Sequence, residues 1–565
     1  MSANRGASKD GMKSYKEVVT SEMETDEGLF TVHRDEQTVM YEIPDSLLGA
    51  ELLLVTRIAK TADNIGYGGM KANTQIVRWE RQADNVLLRI VGYENVADED
   101  QPIYQAVRNS NFEPIIKSFE IASLGKDSAG VVIDVSSLFT DDVPVLGLQR
   151  SRRDRFRVRR LDKSRSYITG VNSYPQNIEV KHVLTYDAAN PPSNNSTGAI
   201  SLEMNQSMIM LPKDPMQPRL CDERVGFFSV RMVDYSRDAQ QAEERCYVTR
   251  WRLEPSDPEA FARGELVEPV KPIVYYIDPA TPMKWRPYLK QGVDDWNAAF
   301  EEAGFKHAIM AKDPPTAEED PEFSPEDVRY SVIRYFSSDI QNAFGPHVHD
   351  PRTGEILESD IGWYHNVMRL LRNWFFVQTA AVNPEARSVE FKDEVLGRLI
   401  RSASAHEVGH TLGFPHNWGS SYAYPVDSLR SKTFTDEMGT APSIMDYARF
   451  NYVAQPGDGV TNLMPDIGIY DKWVTKWGYT PLPQANSADE EKAILNEWVV
   501  ERADDPLYFY GRQGPRLDPR SQNEDLGDDA VKASNYGIEN LKVITDNLIS
   551  WTSQDAENYD ELEEL

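Results

Sequence analysis

HEVGHTLGFPH, running from His406 to His416, is the stretch on which the reading of this 565-residue chain turns. His406 and His410 are four residues apart, so on a helix both imidazoles project from one face. That separation suits two ligands of one tetrahedral zinc ion. Glu407 is offset from that face, close enough to reach a water in an open coordination position without ligating the metal itself. Gly413 permits the left-handed turn that ends a helix, and Pro415 prevents its continuation. The chain can then fold back and offer His416 as a third ligand. The pattern therefore predicts a Zn2+ site formed by His406, His410 and His416. Glu407 is the general base toward a water whose pKa zinc lowers to about 7. In a chain with nine histidines, HExxH arises by chance with a probability on the order of 1%. The added Gly and third His bring this to about one in 10⁵. The competing readings are a helix with exposed histidines, and a zinc site without catalysis.

Outward from this segment, FKDEVLGRLIRSASAHEVGHTLG predicts one long helix from about Val389. Upstream, PIVYYID (Pro272 to Asp278) predicts a strand. MKWRPYLKQGVDDWNAAFEEAGF carries Trp285, Leu289, Val293, Trp296, Phe300 and Ala303 at helical spacing and is closed by Gly304. VRYSVIRYF (Val328 to Phe336) and EILESDIGWYH (Glu355 to His365) predict further strands, which makes a mixed α/β domain. Between Gly28 and about Glu265, runs such as TVMYEI, ELLLVTRIA, NVLLRIVGY and NIEVKHVLTY alternate with period two and predict β structure. The expected architecture is α+β and multidomain. It has a flexible lead-in (1–27), a β-rich N-terminal domain (28–265), a mixed α/β catalytic domain (268–480) and a mostly helical acidic C-terminal extension (481–565). The ending DAENYDELEEL looks cut rather than finished.

Downstream of the histidines stands SIMDY, Ser443 to Tyr447. HExxHxxGxxH followed by a Met-turn about 30 residues on resembles the metzincin clan. The resemblance implies that Met445 floors the ligand imidazoles. It also implies that Tyr447, like the tyrosine of astacin-like and serralysin-like members, coordinates the metal or stabilises the tetrahedral intermediate; ordinary packing is the alternative. HEVGHTLGFPHNWGSS, SIMDYARFNYVAQPGDGV, IGIYDKWVTKWGY and the stretch 511–542 are similar to a narrower group, the bacterial zinc metalloproteases with a Met-zincin catalytic domain. GLFTVHRDEQTVMYEIP and RVGFFSVRMVDY resemble the β-rich domain of uncharacterised role that precedes it there. Asn417 stands where matrix metalloproteases, astacins and adamalysins carry Ser, Glu and Asp, so their substrate preferences do not transfer. Members of the group are typically exported, and the resemblance implies an extracytoplasmic enzyme whose signal is absent from this sequence.

The 60 basic and 90 acidic residues give a charge of −30, which disfavours nucleic acid as a partner. No stretch is apolar enough to span a bilayer. Cys221 and Cys246 form either one bridge or two buried thiols. PRLCDERVG around Cys221 faintly resembles the inhibitory cysteine segment of matrix metalloprotease prodomains, without its spacing or its glycine. RSRRDRFRVRRLDKSR (Arg150 to Arg165) reads as a strand whose exposed face alternates Arg155, Arg157 and Arg159, or as a phosphate-binding patch or processing site. His347 and His349 could hold a second metal or line a cleft, and Asp350, Glu355 and Asp360 could contribute to a calcium site. Clan members bind peptide along an edge strand, for which residues 355–365 are the candidate. The reading favoured by all this is a zinc metallopeptidase, an endopeptidase acting on protein or peptide substrates. The alternatives are a catalytically impaired zinc-binding scaffold and a chain whose N-terminal half confers latency.

Overall fold

A computed structural model describes residues 12–36, 38–237, 240–512 and 518–565. The chain divides into two compact units. The first holds the described residues up to Asp214 with those of Met232–Glu244 and Glu326–Arg329. The second holds Pro215–Arg231, Arg245–Pro325 and the described part of Tyr330–Leu565.

In the first unit the alternating runs pair into a twelve-stranded antiparallel sheet. Its central strands are Ile115–Leu124, Asn85–Val91, Met70–Gln82, Glu51–Lys60, Ala199–Met210 and Asn177–Ala188, side by side in that order. Period two puts Leu52, Leu54, Val77, Trp79, Val86 and Leu88 on one face, where they join a single core cluster. The stretch from Arg150 departs from the expected strand. Arg150–Phe156 is a helix, Arg157 is left-handed (φ 51°), and only Val158–Leu161 is extended. The reason is tertiary. Phe156 is buried in a second apolar cluster, while Arg152 and Arg153 donate to the carbonyls of Ile65 and Leu148.

The second unit is built on a five-stranded sheet in the order Ile309–Lys312, Ile273–Ile277, Ser331–Phe336, Ile361–Tyr364, Ala343–Phe344. The first four strands are parallel and the last is antiparallel. The predicted helix after Ile277 forms as two segments, Arg286–Asp294 and Asn297–Glu302, and Trp296 between them is fully buried. Its indole N–H donates to the carbonyl of Ala405 at 2.8 Å, fixing this layer against the helix Asp393–Thr411. Residues 355–365 are not the sheet edge. They break at Ser359 and Asp360, and Ile361–Tyr364 lies inside, because Ala343–Phe344 pairs along its outer side. Local pattern identifies a strand, whereas strand order depends on which chain segment returns beside it. Farther on come the helices Ile469–Tyr479, Ala488–Val500 and Ala530–Thr552. The first two are tied to the start of the unit by Arg219. Its buried guanidinium bonds Glu491 at 2.8 Å and the carbonyls of Trp477 and Thr480. Cys221 and Cys246 are disulfide-bonded, which removes the thiol that a cysteine switch would need. No helix among the described residues is long and apolar enough to cross a membrane.

Candidate metal centre

The helix Asp393–Thr411 carries His406, Glu407 and His410 in its last two turns. It ends at Gly413 (φ 99°), where a Cβ would lie 2.1 Å from the carbonyl oxygen of Thr249, so both conformation and space demand glycine. The turn brings His416 back, and its ring centroid lies 4.6 Å from that of His410 and 5.3 Å from that of His406. The three histidines can each offer one ligand nitrogen within 4.8 Å of the others, the one such cluster among the described residues.

Their tautomers follow from their partners. His406 Nδ1–H donates to the carbonyl of Ile444, and His410 Nδ1–H to that of Phe414, each at 2.7 Å. Each ring therefore turns an unprotonated Nε2 toward the centre. The Nε2 of His406 is buried without a hydrogen-bond partner, and those of His410 and His416 face each other at 3.1 Å. Two nitrogens on one tetrahedral zinc ion stand about 3.3 Å apart, so the donor set fits such an ion. Burial, with the neighbouring imidazoles second, drives His406 well below the ordinary histidine range and His410 down to about 3. Both are neutral, as a ligand must be.

Glu407 is raised to about 8 by burial, against the opposing hydrogen bond from the Gly345 amide. Gly345 directly follows the edge strand Ala343–Phe344, and a Cβ there would lie 2.3 Å from the Glu407 carbonyl oxygen. Met445 is buried at the base of the site, and its Sδ would lie 2.2 Å from a Cβ on Gly409, which stands in the helix between His406 and His410. Tyr447 lies with its ring centroid 4.2 Å from that of His416 and 5.5 Å from that of His406. Burial, then the Glu407 charge, raises its phenol. Arg449 stands 3.9 Å from the ring centroids of both Tyr447 and Trp374 and pairs with Glu524 at 2.7 Å. A cavity of about 180 Å3 beside His406 and Glu407 is lined by Leu371, Trp374, Leu399 and Phe450.

Several weaker candidates resolve differently. Asp350, Glu355 and Asp360 are each engaged by an arginine, Arg352, Arg252 and Arg334, rather than gathered for calcium. His347 and His349 have ring centroids 5.2 Å apart and lie outside the metal cluster. Phe228 intervenes, 5.6 Å from His347 and 6.0 Å from His410. Sequence reasoning missed Asp471, which accepts from Ser443 Oγ, the Ile444 amide and the Gly468 amide at 2.6–2.9 Å and so pins the Met-turn. It also missed Gly345, Arg449 and Trp374. Only the glycine of FGPH carried any local signal.

A strand-bounded helix with two of three converging histidines, closed over a buried Met-turn, defines a metalloprotease-like domain of the metzincin type. More particularly, residues 388–565 match the family model described as Met-zincin. Residues 69–256 and 12–61 match two domains of unknown function, DUF5117 and DUF5118, so a Met-zincin domain here follows two such domains. No curated protein and no solved structure matches the chain.

Proposed function

We propose that this protein is a zinc-dependent endopeptidase that cleaves protein or peptide substrates outside the cytoplasm. The observation that carries the reading is the convergence of three imidazoles, those of His406 and His410 held neutral by burial, beside a carboxyl group that accepts a hydrogen bond from the sheet edge. His406, His410 and His416 would hold the ion. Zinc, when bound, supplies a Lewis acid that acidifies water and polarises the scissile carbonyl.

Beside a bound dication the Glu407 carboxyl would ionise despite its burial, and as a carboxylate it would take the proton of the attacking water and return it to the departing amine. The Gly345 amide holds that carboxylate in place from the strand side. Tyr447, kept protonated by its raised pKa, donates toward the developing oxyanion. A substrate strand added along Ala343–Phe344 would pass directly over Glu407. It would direct an apolar side chain into the cavity lined by Leu371, Trp374, Leu399 and Phe450. Export is supported by the Cys221–Cys246 bridge, which persists in oxidising compartments.

The test compares cleavage-site profiles on a denatured proteome for the wild type and Glu407→Ala, with zinc measured in both. Zinc in both and cleavage only by the wild type is expected. Equal cleavage, or none by either at full zinc content, would overturn the reading.

A further inference from the structure

Two of the histidines are placed by the helix, but His416 lies beyond it on a loop, and a loop residue takes its position from tertiary contacts. The residue after it, Asn417, is fully buried and held on three sides. Its amide N–H donates to the carbonyl of Met445 at 3.0 Å. Its side chain bridges a distant strap: Nδ2 donates to the carbonyl of Phe509 at 3.0 Å, and Oδ1 accepts from the amide of Gly511 at 2.8 Å. Trp418 continues the pairing, donating to the Gly511 carbonyl at 2.9 Å, and its indole stacks on His416 at 6.1 Å between ring centroids. The two backbones meet at paired glycines. A Cβ on Gly511 would lie 2.3 Å from the Gly419 nitrogen, and one on Gly419 would lie 2.8 Å from Gly511 Cα.

We infer that Asn417 is a positioning residue for the third metal ligand, and that the strap 509–512 is thereby a structural part of the metal centre. The strap is not an appendage following the catalytic domain. A primary amide is the side-chain chemistry the arrangement needs, because one group must donate to one carbonyl and accept from an amide two residues on. Serine offers too short a reach, and a carboxylate would set an anion against the Phe509 carbonyl. The inference rests on the zinc centre proposed above, but it concerns metal binding rather than turnover, so the two can fail separately.

The experiment measures zinc affinity of the full chain by competition with a chromophoric chelator, and the visible spectrum of the Co2+-loaded chain. Wild type, Asn417→Ala and Asn417→Asp are compared. Asn417→Asp keeps the side-chain volume and the bond to Gly511 while losing the donor to Phe509, so it tests the clamp even if Asn417→Ala folds poorly. Zinc affinity lower by about 10–100-fold and an altered Co2+ spectrum are expected in the variants, each read at a temperature where the apo protein is folded, because the buried carboxyl of Asn417→Asp also lowers the melting temperature. Affinity and spectrum equal to the wild type in Asn417→Asp would overturn the inference while leaving the peptidase reading intact. A wild type that binds neither ion would overturn both.

Discussion

His406 is tied to Asp471 through the backbone of a single residue. The ring Nδ1–H donates to the Ile444 carbonyl at 2.7 Å, and the Ile444 amide donates to Asp471 Oδ2 at 2.7 Å. The carboxylate thus sets the orientation of an imidazole it never touches. Asp471→Ala is expected to weaken zinc binding by about 10–100-fold, as loss of outer partners does in metal sites. It also leaves two buried amides unpaired, at about 1–3 kcal/mol each. Isothermal titration with zinc reads the first effect, and an unchanged Kd would dismiss the relay.

Tyr447→Phe removes the phenol and little else from the packing over His416. Loss of one donor to an oxyanion costs about 10²–10³ in kcat. We expect a drop of that order with zinc content unchanged. Steady-state kinetics on a quenched-fluorescence peptide would decide it, and full activity would assign Tyr447 to packing alone.

Gly409→Ala sets two effects against each other. In an exposed helix alanine would gain about 1 kcal/mol over glycine. Here the new methyl would lie 2.2 Å from Met445 Sδ and 2.8 Å from Trp296, and both side chains are buried. Overpacking of about 1–3 kcal/mol outweighs the helical gain. A lower melting temperature and weaker zinc retention on dialysis are expected; a stabilised variant would contradict the packing at the Met-turn.

In the first unit Glu179 is buried among Asn177, Asn205 and Ser207, and burial raises its carboxyl from 4.5 to about 7. The folded state therefore binds this proton more tightly than the unfolded one. The stability it contributes is full below pH 4.5 and declines as pH rises through about 7. The span corresponds to about 3 kcal/mol. Glu179→Gln should flatten that slope in chemical denaturation between pH 5 and 8, and a slope equal to the wild type would place the titration elsewhere.

The bridge between Cys221 and Cys246 closes a loop with a sequence separation of 25. Loop-closure entropy then gives about 3.5 kcal/mol. The double variant Cys221→Ser, Cys246→Ser should melt several degrees lower by calorimetry, and coincident melts would count against a structural role for the bridge.

The composition of the metal centre was legible in eleven consecutive residues, because a helix places i and i+4 on one face and a glycine followed by proline ends it. Met445 and Tyr447 were legible by resemblance, and the β-rich first half by its period of two. These are local properties: spacing, conformational freedom and side-chain chemistry suffice to state them. The rest rests on contacts between residues far apart in the chain, which no spacing encodes. Only the fold could place Ala343–Phe344 outside Ile361–Tyr364, set Gly345 against Glu407, and bend Arg150–Phe156 into a helix to bury Phe156. It likewise joined Cys221 to Cys246, and brought Asp471 against the Ile444 amide and the Asn417 side chain against the backbone of Phe509 and Gly511. Sequence named the three histidines that converge, because a metal site needs the right side chains at the right spacing. Tertiary structure decided how they are held, because orientation comes from buried hydrogen bonds that exist only once distant segments have met.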